Sequence, residues 1–420
     1  MLMKKRYLIL SLLVALGMIT FLDRICMSVA GSRIIDDLDF STEQWGWIQG
    51  AFILSYGLFQ IPLGILADRW GPRAVLVGIV LWWSLFTGLT GLVSGFMVML
   101  GVRFMFGIGE AGAYPGMSCT VARWFPTGQR AMSQGFIWAA SRLGGALAPL
   151  MVVPVQKVYG WRASFFLLGL IGLAWGMIWY LFARNSPAEQ PGIRGSELDE
   201  ISEGKKPIQK TAAPWGRIVR TKQFWLILSM YWFYVWGSWF YFSWLHTFLV
   251  KGRGFSEEQM GLYSALPFVL GTFSNVAGGY LSDWAAKKIG LRLGRRIIGT
   301  VCLALSAILL AGAGLSGDKV SVVLLLSLSF GVMDLMLPSA WAVCLDVGHK
   351  YAGAISGAMN TAGNLGGFLC TVLFGYIVKM SNNNYNVPLF VIATMLMISS
   401  LLFSRIDSSH PLAAEDVKTE

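Results

Sequence analysis

The stretch Gly101-Val-Arg-Phe-Met-Phe-Gly-Ile-Gly-Glu-Ala-Gly-Ala-Tyr-Pro115 is apolar enough for a bilayer, yet it carries an arginine and a glutamate. Arg103, Gly107, Glu110 and Tyr114 recur at helical spacing, which predicts one stripe on one helix. With its flanks, Phe96 to Leu100 and Met117 to Ala122, the run is long enough to cross about 30 Å of hydrocarbon. A charge at that depth costs at least ~2.5–3.5 kcal/mol on insertion scales, and such charges mark substrate or proton pathways unless they form a structural ion pair. We take them as functional.

A chain of 420 residues that is 55% hydrophobic and only 13% charged, where soluble domains carry about 25% charge, is an all-α polytopic membrane protein. Tyr7 to Ala30 is too long and too smooth for a cleaved signal peptide and predicts a first transmembrane helix. Further spans are expected near 45–66, 74–93, 97–122, 131–156, 161–183, 224–250, 259–281, 297–315, 320–345, 352–379 and 386–405, roughly twelve in all. The net charge of +11 follows this topology, because most of the 33 lysines and arginines fall in the head, the even-numbered loops and the tail. The positive-inside rule then puts both termini in the cytoplasm, with the chain in the cell (inner) membrane. No basic patch is left over for nucleic acid.

The five cysteines, Cys26, Cys119, Cys302, Cys344 and Cys370, lie in apolar stretches without CxxC spacing and read as packing residues, so no metal site is expected. No HExxH or GxSxG motif and no His–carboxylate pair within one helix points to an enzyme, and no catalytic residue or cofactor is expected. A transporter-like sensor would need a signalling domain, which neither the polar segment Asn185 to Lys222 nor the tail supplies.

The two halves of the chain echo each other. Gly135-x7-Leu143-Gly144-Gly145 returns as Gly357-x7-Leu365-Gly366-Gly367, and Gly64-Ile-Leu-Ala-Asp68 returns as Gly279-Tyr-Leu-Ser-Asp283, each of the latter followed by basic residues. Two echoes displaced by nearly the same distance predict a duplicated six-helix unit, a transporter architecture with its site between the repeats near the midplane. The expected organisation is a first six-helix bundle over 1–184, a cytoplasmic linker over 185–222 with an amphipathic piece Trp215 to Lys222, a second bundle over 223–406 and a cytoplasmic tail over 407–420.

Gly64-Ile-Leu-Ala-Asp-Arg-Trp-Gly-Pro-Arg73 resembles the loop between the second and third helices of the major facilitator superfamily. Asp68, Arg69 and Arg73, with Asp283 in the second copy, are thereby expected to have gating or structural roles. Within that superfamily the chain resembles the anion:cation symporters, which include proton-coupled importers of galactonate, glucarate and hexuronates and the sialin-like transporters. The residues carrying this are Phe21-Leu-Asp-Arg24, Arg103, Gly-Ile-Gly-Glu-Ala-Gly112 and Ser356-Gly-Ala-Met-Asn360. The resemblance implies that Asp23 and Glu110 couple protons, that Arg24 and Arg103 contact the substrate anion, and that Tyr56 touches substrate or an arginine. Independently, arginine stays charged and offers a fork to a carboxylate, whereas a desolvated acid can exchange a proton near neutral pH.

Tyr56 shares a polar stripe with Gln49 and Gln60, so satisfaction within the bundle is an equal alternative for it. In the second half Ser339, Trp341 and Asn360, with Asn364, offer uncharged hydrogen-bonding groups and an aromatic face suited to a hydroxylated acid. Arg142 and Asp334 are the remaining midspan charges; a structural or gating role is favoured over reception of a diacid's far carboxylate. The aromatics of the seventh span, Trp225 to Trp244, read mostly as lipid-facing or interfacial, and His246 as interfacial. The expected partners are a small organic anion, protons and the bilayer, for a monomeric importer; proton-driven export of small molecules is the alternative.

Overall fold

The computed structural model describes residues 4–202, 214–348 and 351–412. Glu203 to Ala213 of the expected linker and Ala413 to Glu420 of the expected tail lie outside the described residues. Among those described, twelve long helices follow one another: α1 (Lys5–Val29), α2 (Thr42–Trp70), α3 (Pro72–Thr90), α4 (Phe96–Trp124), α5 (Thr127–Tyr159), α6 (Trp161–Phe182), α7 (Lys222–Ser243), α8 (Ala265–Ile289), α9 (Leu291–Leu315), α10 (Lys319–Gly348), α11 (Ala352–Met380) and α12 (Val387–Phe403). The chain forms two compact units. One holds the described residues of Met1–Gln209 with Phe255–Ala265, the other those of Lys210–Gly254 and Leu266–Glu420.

Local chemistry sets several helix ends. A capping box of Ser41 and Gln44 starts α2, Pro72 opens α3, and Thr221 accepts from the Phe224 N–H to start α7. The α2–α3 and α8–α9 turns pass through Gly71 and Gly290, both at φ +88°. The start of α1 has no side-chain cap of its own. It is capped instead from the linker, where Glu197 of the short helix Gly195–Ser202 accepts the backbone N–H of Lys5 at 3.1 Å and of Arg6 at 3.0 Å. Glu200 of the same helix pairs with Lys4 and Arg6, each at 2.5 Å. These two partners hold the Glu200 carboxyl down at about 2 from an ordinary 4.5. Its contribution to stability is therefore present above the ordinary value and is lost as pH falls through about 2.

Four sequence expectations need correction. The fourth span is interrupted at Gly112, so the Arg103-to-Tyr114 stripe is not one continuous helix. Pro115 has no N–H to give the Ala111 carbonyl, and the ladder opens there. The seventh span ends at Ser243 and passes through Leu245–Thr247 into a π-turn, Phe248–Gly252. The eighth begins only at Ala265, after a separately capped helix Glu257–Tyr263 that packs with the first unit: Arg33 pairs with Glu257, and Lys157 with Glu258. The aromatics of α7 and His246 are not peripheral. Tyr231, Tyr234, Trp236, Trp239, Tyr241, Trp244 and His246 are buried, and Trp225 alone among the named aromatics is clearly exposed. Two of them place their polar atoms on backbone carbonyls, the Tyr241 hydroxyl at Leu326 O (2.8 Å) and the Trp244 indole at Thr371 O (3.0 Å), while Trp244 stacks on Phe374 at 4.5 Å.

The repeated Leu-Gly-Gly has one physical meaning in both units. A Cβ on Gly144 would stand 2.4 Å from the Met18 carbonyl of α1, and one on Gly366 would stand 2.5 Å from the Trp232 carbonyl of α7. Only a bare glycine lets α5 cross α1, and α11 cross α7, at backbone contact. Gly135 and Gly357, the first glycine of each copy, meet nothing within 4 Å. Gly144→Val and Gly366→Val are each expected to lower the stability of the purified protein by about 1–3 kcal/mol through overpacking, with Gly135→Val and Gly357→Val near wild type, measured by thermal unfolding.

Candidate functional site

The first unit gathers four charges among its long apolar helices. Asp23 and Arg24 are neighbours on α1, so they point about 100° apart and take different partners. Arg24 Nε donates to Glu110 Oε1 at 2.7 Å, and Glu110 is fully buried. The same guanidinium lies 4.5 Å from the centre of the Tyr56 ring on α2 and 5.9 Å from that of Tyr114 on α4. Tyr56 in turn accepts from Gln60 Nε2 at 3.3 Å, which joins the α2 polar stripe to the cluster. Asp23 is buried beside the Trp83 indole of α3, in the field of Arg103 and Glu110. Arg103 is also buried, its guanidinium 4.4 Å from the Phe106 ring centre and 5.2 Å from that of Phe52.

Two arginines and two carboxylates thus share one buried volume walled by aromatic rings. Both Asp23 oxygens, Glu110 Oε2, Arg24 Nη2 and Arg103 Nε are buried there without a hydrogen bond. Each such atom costs about 1–3 kcal/mol relative to a satisfied one.

Three contributors were not anticipated. The Tyr114 hydroxyl and Ser141 Oγ of α5 lie 2.7 Å apart, and Trp138 of α5 stacks on the Tyr114 ring at 4.4 Å and 10°. Trp83 completes the far side. The legible signal was the face of α5 on which Gln134, Trp138, Ser141 and Arg142 recur at helical spacing in an otherwise apolar run. Arg142 is buried, with its guanidinium 5.7 Å from the Phe21 ring centre.

In the second unit, Ser339 is buried and donates to the Arg295 carbonyl at 3.3 Å, tying α10 to α9. Trp341 meets Tyr231 edge-on at 6.5 Å, and Asn360 is half-buried on α11. Asp334 is fully buried on α10 where α8 comes close: a Cβ on Gly271 would stand 2.8 Å from its Oδ2. In the repeated loops, Asp283 pairs with Arg295 at 2.8 Å, and Arg295 also holds Asp346 at 3.1 Å. Their counterparts differ. Asp68 and Arg69 are exposed, with the Asp68 carbonyl accepting from Arg123 at 3.2 Å, and Arg73 donates to the Tyr180 carbonyl at 2.7 Å.

A family model described as Major Facilitator Superfamily matches residues 13–371. The chain belongs to the major facilitator superfamily. It is a multi-pass membrane transporter of that family, not an enzyme. It is 34% identical over 402 residues to a probable sulfoacetate transporter of Cupriavidus necator, covering 95% of this chain and 93% of the relative. It is 32% identical over 369 residues to a hexuronate transporter of Bacillus subtilis, covering 87% and 86%. A bacterial homolog of the human lysosomal transporter Spinster shares the fold, with a TM-score of 0.79 at 19% identity over 96% of this chain and 97% of that one. The sulfoacetate and hexuronate relatives carry organic anions by name, and the four-charge cluster lies within the matched region.

Breaking a buried pair leaves an uncompensated charge, which costs about 3–5 kcal/mol. Arg24→Ala is therefore expected to destabilise the purified protein by that order, and the double variant Arg24→Ala/Glu110→Gln to recover much of the loss, as read by thermal unfolding.

Proposed function

We propose that this transporter imports an organic anion, a sugar acid such as a hexonate, hexuronate or aldarate, by proton symport with alternating access, with both termini in the cytoplasm. The observation that carries the reading is the coexistence, in one buried cluster, of guanidinium donors without acceptors and carboxylate oxygens without donors. An anion supplies acceptors to Arg24 and Arg103, and protons satisfy Asp23 and Glu110. The similarity to carriers of sulfoacetate and hexuronate supports an anionic cargo.

Charge counting sharpens the mechanism. Two arginines and two ionised carboxylates sum to zero, so a monoanion arriving alone makes the site negative. With the cell interior negative, each net charge is worth about 2.3 kcal/mol per 100 mV against entry of a bare anion. One proton makes import neutral and two make it driven inward. Asp23 and Glu110 are two acceptors, which gives more than one proton per monoanion and an inward positive current.

Three outcomes follow. Arg103→Ala is expected to lose binding of hexuronate or sulfoacetate almost completely, read by titration calorimetry on purified protein; near wild-type affinity would remove Arg103 from the site. Glu110→Gln is expected to bind but not to accumulate the acid in proteoliposomes under an inward proton gradient, since it mimics the protonated state permanently. Electroneutral uptake of a monoacid by the wild type would reduce the coupling to one proton. Arg142 is assigned a structural or gating role, so Arg142→Gln is expected to affect monoacids and diacids alike; selective loss of a diacid would move it into the binding site.

A further inference from the structure

The helix α5 presents two different exposed faces. Met132, Phe136, Leu143 and Leu147 make an exposed apolar stripe, as a bilayer or an apolar neighbour requires. Trp138 is also 45% exposed, but at about 100° per residue it lies on the far side of the helix, among Gln134, Ser141 and Arg142. It stands about three turns inside the helix, so it is not one of the interfacial tryptophans that mark helix ends.

One face of its indole is fixed against Tyr114 at 4.4 Å, nearly parallel. Tyr114 is held by Ser141, whose hydroxyl also donates to the Ile137 carbonyl at 2.9 Å, and it lies 5.9 Å from the Arg24 guanidinium. The indole is thus a rigid plane, two ring contacts from the cation, with half its surface uncovered.

Resting on the organic-anion reading above, we propose that the uncovered face of Trp138 is the shelf for the carbon skeleton of the cargo. It takes the C–H face of a hexuronate whose carboxylate is held by Arg24 and Arg103, and so sets a preference for sugar acids over short acids. An aromatic face attracts polarised C–H groups and removes apolar area from water, while the hydroxyl edges remain free for polar partners. Sulfoacetate, with two carbons and no hydroxyls, reaches the guanidiniums but has no such face to lay on the indole.

The experiment measures binding of D-glucuronate and of sulfoacetate to the purified full chain and to Trp138→Leu and Trp138→Phe. Trp138→Leu is expected to weaken glucuronate roughly 3–10-fold, the equivalent of the aromatic contact energy, and to leave sulfoacetate within about twofold; Trp138→Phe is expected to retain most of the glucuronate affinity. Should Trp138→Leu fail to fold, Trp138→Met takes its place, with the same loss of glucuronate affinity and the same retention of sulfoacetate expected. Equal losses for both acids would mean that Trp138 merely props Tyr114 against Arg24, and no loss for either would also overturn the shelf. A wild-type protein that binds sulfoacetate but not glucuronate would overturn the shelf and leave the organic-anion reading standing. One that binds neither would overturn both.

Discussion

The contact between Arg24 and Glu110 is the constraint on which the first unit turns. A fully buried carboxylate stays ionised only while a cation is beside it, and this one has a single guanidinium nitrogen at 2.7 Å. In the function proposed above, an incoming acid competes for that same guanidinium. When the arginine turns to the acid, Glu110 loses its partner in a low-dielectric setting and is satisfied most cheaply by a proton. Under the proposed symport, binding of anion and proton would be one exchange of partners rather than two events, which is the coupling that symport needs.

The surrounding helices hold the Arg24–Glu110 contact in place. Asp23 and Arg24 reach different partners because they are sequence neighbours on α1, and α1 is pinned at both levels: by the bare backbone of Gly144 on α5 and by the linker carboxylate of Glu197 at its first turn. The same crossing recurs at Gly366 against α7, but there the second unit has spent its polar side chains differently. Ser339 holds a backbone carbonyl, and Arg295 gathers Asp283 and Asp346. The two units share this packing and differ in chemistry, the buried cluster of two arginines and two carboxylates lying in the first.

Much of this was legible from residues, for physical reasons. Helical spacing placed Arg103 and Glu110 on one side of α4, the low charge content required a membrane, and the Leu-Gly-Gly echo marked a helix crossing in each unit. What escaped depended on tertiary contacts. The break at Gly112 follows from the N–H missing at Pro115, a local signal outweighed by the apolar run. Aromatics covering every side of α7 suggested lipid, whereas Tyr241 and Trp244 are buried because backbone carbonyls of α10 and α11 accept their polar atoms. Trp138 and Ser141 shared a legible polar face of α5, but their place beside the cluster comes from touching Tyr114, on another helix. The docking of Glu197 and Glu200 on the start of α1 joins residues too far apart in sequence for any periodicity to report.

The partner exchange is tested most directly by counting protons during binding alone, without transport. Purified protein in weakly buffered detergent solution, with a pH-sensitive dye, is titrated with a hexuronate or with sulfoacetate at neutral pH. The account predicts that binding withdraws protons from solution, and that Glu110→Gln binds the same acid with measurably smaller uptake. Binding without any proton uptake, or uptake unchanged in Glu110→Gln, would contradict it.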